Sequence, residues 1–370
     1  MQSFAFLTAT EIRFGRGTAG SAVDAARSLG SRIVLVHGKS ADRAAWLNRD
    51  LSPVAQIAIG REPDVPMIEQ AVAIARQHDA DCVVALGGGA VIDAGKAIAA
   101  LVPATRPILD HLEVVGLGLP LDHAPLPFVA IPTTAGTGAE VTRNAVIGVP
   151  EARRKVSLRD TRMLPRLAII DPALTDNTPA NVTLASGLDA ITQVIEPFIS
   201  SRANRMTDAL CRDAIPLGLS ALVRLTEGED PVARDDLAWA SLCGGLALAN
   251  AGLGAVHGLA GPLGGYVPHH GLICGLLLPH VLRANAAAGA NRMDQVQHWI
   301  AGALGGSPDQ ALDRLAAWVD GLGLPRLGQL GLDPALIPDI AAAAQSSSSM
   351  KGNPVPLSVG ALTMILRAAL

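Results

Sequence analysis

In the first half of the chain, apolar runs at 33–36, 56–59, 82–86 and 128–131 have the length of buried strands, and each ends near Gly or Pro. Between them, segments such as 64–78 and 90–101 carry the apolar spacing of helices. Strand and helix in alternation is the pattern of parallel β-α-β units. A further run at 167–170 closes at Asp171-Pro172, and no strand is expected after it. Thr178-Pro179 reads as an N-cap with Pro in the first helical position, and Ala- and Leu-rich helical stretches continue to the C-terminus. The pattern predicts two domains: an α/β domain with a parallel sheet over 1–165, and an all-α domain over 166–370. Residues 345–350, with four consecutive serines, are expected to form a loop before a last helix from about Ser358. No internal repeat is visible.

Composition narrows the partners. Of the 370 residues, 49% are hydrophobic and 17% charged, which excludes disorder. A formal charge of -4 offers no field for a nucleic-acid backbone, and 3% aromatics leaves few stacking platforms, so a small molecule is the expected partner. Cys82, Cys211, Cys243 and Cys274 are widely spaced in apolar runs without a C-x-x-C pair, and read as buried free thiols. The N-terminus lacks the basic and apolar regions of a signal peptide, so a cytoplasmic protein is expected. The stretch 237–282 is uncharged with His neutral, but Gly, Pro, Asn and His break it, so a packed interior rather than a membrane span is expected.

Residues 82–97, CVVALGGGAVIDAGKA, read as a strand, three glycines and a helix. Gly87, Gly88 and Gly89 let the backbone approach a bound group, and the unpaired N–H groups at the helix start favour an anion. The run is not the G-x-G-x-x-G fingerprint, so a tight structural turn is the competing reading. A second loop, from Pro132 through Thr133, Thr134 and Thr137 to Glu140, combines hydroxyls with glycines after another strand. Two such loops at the ends of neighbouring strands make the crevice in which α/β sheets bind ligands.

A second kind of chemistry gathers in the uncharged stretch, which holds four of the nine histidines: His257, His269, His270 and His280. Neutral imidazoles in apolar surroundings suit Fe2+ or Zn2+, with His280 reading as structural. Upstream, SGLDAITQVIE sets Asp189 and Gln193 four residues apart, on one helical face. Pro197 removes the amide that would bond the Gln193 carbonyl, so this helix should kink or end there.

GGGAVIDAGKAIA and IPTTAGTGAEVT resemble the paired nucleotide motifs of the iron-containing (group III metal-dependent) alcohol dehydrogenases, and FGRG, KVSLR at 155–159 and DPALT at 171–175 match them too. The resemblance spans nearly the whole chain. It implies a dehydroquinate synthase-like fold, an N-terminal dinucleotide-binding domain, a helical metal and substrate domain, and a homodimer. By position, Gly88 and Gly89 would meet the pyrophosphate, Thr133, Thr134 and Thr142 the nucleotide, and Lys155 the nicotinamide side. Asp93 would cap or position the glycine-loop helix. Where many members carry an Asp for the ribose hydroxyls, this chain has Gly38, followed by Lys39, Ser40 and Arg43. A 2′-phosphate is not repelled there, so the expected cofactor is NAD or NADP.

The same resemblance implies metal ligands Asp189, His257 and His270. The family's further histidine stands at 193, where this chain has Gln193, so Gln193 or water would complete the set. The histidine that members often carry four residues after His257 is replaced by Gly261. Its proton-relay role is vacant or moved to His269, and His269 and His270 are interchangeable candidates for the ligand. The implied activity is interconversion of an alcohol with an aldehyde or ketone by metal-assisted hydride transfer. Maleylacetate reduction is the nearest alternative, a dehydroquinate synthase-like lyase is next, and a catalytically degenerate nucleotide-binding protein is the reading that Gln193 and Gly261 would favour.

Overall fold

Six strands form one parallel sheet in the computed structural model, which describes residues 3–370: β1 (Ile12–Phe14), β2 (Ile33–Gly38), β3 (Ala55–Ile59), β4 (Cys82–Gly87), β5 (Phe128–Pro132) and, last in sequence, β8 (Leu167–Ile170). Their order is β1-β8-β5-β4-β2-β3. Strands β2, β4, β5 and β8 are unbroken apolar runs because both faces of the sheet are covered. On one face Val34, Val36, Val83 and Ala85 pack with α3 (Val65–Gln77) and α4 (Gly89–Leu101). On the other, Ile33, Leu35, Val84 and Leu86 pack with α1 (Ala22–Leu29) and α2 (Ala45–Leu51). A single turn, α5 (Ile108–His111), follows α4.

One element escaped the sequence reading. β6 (Asn144–Val149) and β7 (Arg154–Arg159) form an antiparallel hairpin outside the main sheet. Ala145, Ile147 and Val149 are buried on β6, and Val156 and Leu158 on β7. That period-two alternation is written in KVSLR, which drew notice only as a family motif.

The chain divides into two units, and each is described by itself. The α/β unit comprises Thr8–Thr134 and Gly138–Asp176, whereas the helical unit takes Ala135–Thr137 and Asn177–Leu370, together with the residues before Thr8. The division therefore lies beyond the expected 165, because β8 pairs with both β1 and β5 and cannot be cut from the sheet.

The helical unit contains α6 (Ala180–Ile199), α7 (Arg205–Glu227), α8 (Pro231–Ala251), α9 (Ala255–Leu263), α10 (His270–Ala287), α11 (Met293–Leu304), α12 (Ala311–Gly321), α13 (Ile337–Gln345) and α14 (Val359–Ala368). Pro179 is the N-cap of α6 rather than its first residue, since the amides of Val182 and Thr183 bond its carbonyl. Helix α6 continues past Pro197 only to Ile199. Buried from Gly187 onward, it packs against α7, α8 and α10. Ser358 caps α14 through the Ala361 amide. The uncharged stretch is divided among α8, α9 and α10. Among the described residues no single helix is long and apolar enough to cross a membrane, and α8 and α9 meet at 94°.

Candidate active site

Within the α/β unit, β2 neighbours both β3 and β4, so the order of connections reverses between β2 and β4. Such a switch point is where open α/β sheets bind ligands, at the carboxyl ends of the strands. Gly38 ends β2 and Gly87 ends β4. Two of the three glycines are required by contact. A Cβ on Gly87 would lie 2.5 Å from Val91 Cγ2, and one on Gly88 would lie 3.2 Å from Thr134 Oγ1. Gly88 is the N-cap of α4 without a side-chain bond, and Gly89 opens the helix, so a half-buried row of helix-start amides is suited to receive an anion.

The Thr133 amide donates to the Gly87 carbonyl at 3.0 Å and ties the second loop to the first. Behind it stands Lys96, fully buried. Its ammonium donates to the Ala139 carbonyl and the Thr142 hydroxyl, both at 2.9 Å, and to the Asn144 carbonyl. Thr142 is thus engaged in holding its own loop, donating in turn to Ala139 O at 3.1 Å. Thr137 is half-buried and groups with the helical unit, where a Cβ on neighbouring Gly136 would press on Ser186.

Asp93 does not cap α4. Its carboxylate accepts from the Val146 amide at 3.0 Å and pairs with Lys96 at 3.3 Å, so it fastens the β6–β7 hairpin to the helix. Burial raises its pKa, with Lys96 opposing, and lowers that of Lys96, with Asp93 opposing. Burial likewise pushes Glu140 up to about 7. Lys155 is ion-paired with Glu62. Gly38 has open space where a Cβ would stand, and Lys39, Ser40 and Arg43 are exposed beyond it.

The second centre lies wholly in the helical unit. Helix α6 carries Asp189, Gln193 and Glu196, all buried, at the spacing that aligns one face. Asp189 Oδ1 lies 3.3 Å from His257 Nε2 on α9 and 3.8 Å from His270 Nε2 on α10. Cys274 Sγ stands 3.8 Å from His257 Nε2 and 3.6 Å from His270 Nε2. These four donor atoms all lie within 4.8 Å of one another, a spacing that could hold a metal ion. Asp189 Oδ1 and Gln193 Oε1 are buried without a hydrogen-bond partner, as oxygens that serve a cation would be.

Glu196 sets the orientation of His257. One oxygen accepts from the Val256 amide and the other bonds His257 Nδ1, each at 2.7 Å. Gly254 leaves room for this carboxylate, since a Cβ there would lie 2.8 Å from Glu196 Oε1. Burial alone would raise the Asp189 pKa, but His257 and His270 outweigh it and hold the carboxyl down to about 2. Burial opposes the imidazolium of His270, yet Cys274 and Asp189 push it up to about 9, and His257 is raised well above its usual range by the same neighbours with Glu196.

Of the expected ligands, Asp189, His257 and His270 come together. Gln193 stands beside the Asp189 carboxylate and helps to hold its pKa down. His269 is exposed, at a left-handed N-cap before α10, so the choice between the paired histidines falls to His270. Gly261 is exposed with nothing near a Cβ. Two residues were missed. Glu196 is three residues beyond Gln193, and Cys274 four beyond His270, so helical spacing could have revealed both.

Comparison with known proteins gives a consistent picture. Residues 9–172 match the family model for iron-containing alcohol dehydrogenase, and residues 183–370 match that for the C-terminal part of the same family. Lactaldehyde reductase of Escherichia coli (strain K12) is 32% identical over 92% of this chain and 93% of its own length. Long-chain-alcohol dehydrogenase 1 of Geobacillus thermodenitrificans is 34% identical, over 83% and 80%. Among solved structures, 1,3-propanediol oxidoreductase superposes with a TM-score of 0.88 at 29% identity, covering all of both chains. Sulfoacetaldehyde reductase from Bifidobacterium kashiwanohense, in complex with NAD+, does so with 0.86 at 26%, covering 100% of this chain and 99% of its own.

Proposed function

Because this chain belongs to the iron-containing alcohol dehydrogenase family, we propose that Asp189, His257 and His270 are the side chains that hold its divalent metal. The protein is an NAD(P)-dependent oxidoreductase that interconverts an alcohol and an aldehyde or ketone. No observation favours maleylacetate as the substrate, and a degenerate protein would have no use for a buried group of ligands around an unsatisfied carboxylate oxygen. That cluster is the observation that carries the ligand assignment.

When bound, a divalent ion supplies Lewis acidity, lowering the pKa of an alcohol or polarising a carbonyl. The residues do the positioning. Glu196 holds the His257 Nδ1 proton, which leaves the Nε2 lone pair facing Asp189, and Gln193 steadies the Asp189 carboxylate. In the α/β unit, Gly87, Gly88 and Gly89 with Thr133 and Thr134 cradle the pyrophosphate, while Thr142, Asp93 and Lys96 brace that loop from behind. Open space at Gly38 and the cations beyond it admit the 2′-phosphate of NADP as well as NAD.

We place the enzyme in the cytoplasm, a reducing compartment that suits its four unpaired, buried cysteines, and expect a homodimer. The test is NAD(P)H oxidation across short aldehydes, ketones and maleylacetate, with metal content measured on the same preparation. Turnover of an aldehyde by metal-loaded protein supports the reading, and cofactor binding without metal or turnover overturns it.

A further inference from the structure

We propose that Cys274 completes the metal centre as a thiolate ligand, a stronger fourth donor than the neutral amide of Gln193. The inference rests on the assignment of Asp189, His257 and His270 as ligands. It changes the donor set to one carboxylate, two imidazoles and one thiolate.

Distances carry the argument. A tetrahedral ion with metal–nitrogen bonds of about 2.0–2.1 Å and a metal–sulfur bond of about 2.3 Å has nitrogen–sulfur edges of about 3.6 Å. Cys274 Sγ lies 3.6 Å and 3.8 Å from the two imidazole Nε2 atoms. Nitrogen–oxygen edges of such an ion are about 3.4 Å. The corresponding separations are 3.3 Å and 3.8 Å. Four of the six edges thus lie close to those of one tetrahedron, and all the donor atoms lie within 4.8 Å of one another. The Asp189 oxygen within it is buried and lacks a hydrogen bond, an independent sign that a cation belongs there.

The helices explain how the sulfur arrives. His270 and Cys274 are one turn apart on α10, so both face the same way. Between and beyond them stand Gly271 and Gly275, where a Cβ would lie 2.1 Å from the Ala185 carbonyl oxygen and 2.5 Å from Leu188 Cδ1. These glycines let α10 press its backbone onto α6 and bring both donors to Asp189. Gln193 Oε1 is also buried without a partner, but a neutral amide oxygen is a weaker donor than a thiolate. Two anionic and two neutral donors also cancel the charge of a divalent ion in a buried place. The added sulfur should tilt selectivity towards zinc and cobalt over magnesium or manganese.

Cobalt is the probe, because a thiolate bound to Co2+ gives a near-ultraviolet charge-transfer band that carboxylate and imidazole do not. The metal-depleted full chain is loaded with Co2+ alone and compared with Cys274→Ser, Cys274→Ala and Asp189→Ala, folding being checked by circular dichroism. Wild type should bind one Co2+ with visible ligand-field bands and the charge-transfer band. Both Cys274 variants should keep ligand-field bands, lose the charge-transfer band and bind at least about tenfold more weakly. Stoichiometric Co2+ in wild type without that band, or a band that survives Cys274→Ser, overturns the thiolate and leaves the three-residue site standing. No Co2+ in wild type, or binding untouched by Asp189→Ala, overturns the site itself and the thiolate with it. The wild-type spectrum decides the matter even if the variants fail to fold.

Discussion

Glu196 bonds His257 Nδ1 at 2.7 Å while its second oxygen accepts the Val256 amide, so one buried carboxylate fixes both the start of α9 and the ring that α9 carries. A neutral amide in its place cannot stabilise the basic, Nε2-facing imidazole to the same degree. Glu196→Gln should therefore weaken metal binding by about 10–100-fold while the ligands remain. Competition with a chromophoric chelator measures this, and an unchanged affinity would remove Glu196 from the metal centre.

Cofactor choice is read at Gly38. Gly38→Asp places a carboxylate in open space at the end of β2, where it would repel a 2′-phosphate and accept ribose hydroxyls. The expected result is a loss of kcat/KM with NADP of at least about tenfold, equivalent to roughly 1.4 kcal/mol, with NAD retained. A wild-type preference for NAD of that same size would show that Gly38 does not admit the phosphate.

Buried Glu140 makes a pH signature in stability. Burial lifts its folded-state pKa from the ordinary 4.5 to about 7, with Lys96 opposing only in part. The folded state thus holds the proton more tightly, and stability falls as pH rises from about 4.5 to about 7, by roughly 3 kcal/mol at most. Lys96 and Asp93 share the cluster and keep their ion pair in Glu140→Gln, although Lys96 loses the Glu140 charge that favours its ammonium. That variant should gain on wild type between pH 5 and pH 8 in urea unfolding, and parallel profiles would rule the buried carboxylate out as the cause.

Close packing of α10 on α6 gives a prediction without touching a ligand. Gly271→Ala sets a methyl against the Ala185 carbonyl, so α10 must lift and carry His270 and Cys274 away from Asp189. A stability loss of about 1–3 kcal/mol and a fall in bound metal are expected. Gly261→Ala, with nothing near its Cβ, should change neither. Equal metal content in the two variants would mean that the glycine contact does not shape the site.

Much of this was legible in the sequence where one periodicity dominated. The strands β2, β4, β5 and β8 are buried on both faces and read as plain apolar runs, and Asp189, His257 and His270 stood out as polar groups in apolar surroundings. The bracing contacts of Asp93 and Thr142 are not legible locally. Their types suit a nucleotide loop, but their partners, Val146 and Lys96, are brought to them by the fold of a hairpin distant in sequence. Cys274, a lone cysteine without C-x-x-C spacing, reads as structural from sequence alone. Its relevance depends on α9 and α6, which no local pattern reveals.

The central claim is that Asp189 anchors a metal on which turnover depends. Metal content and aldehyde-dependent NAD(P)H oxidation, measured on the same preparations of wild type and Asp189→Ala, test it most directly. The account predicts about one divalent ion per chain with turnover in wild type, and neither in the variant. A metal-free Asp189→Ala enzyme that turns over at the wild-type rate would contradict it.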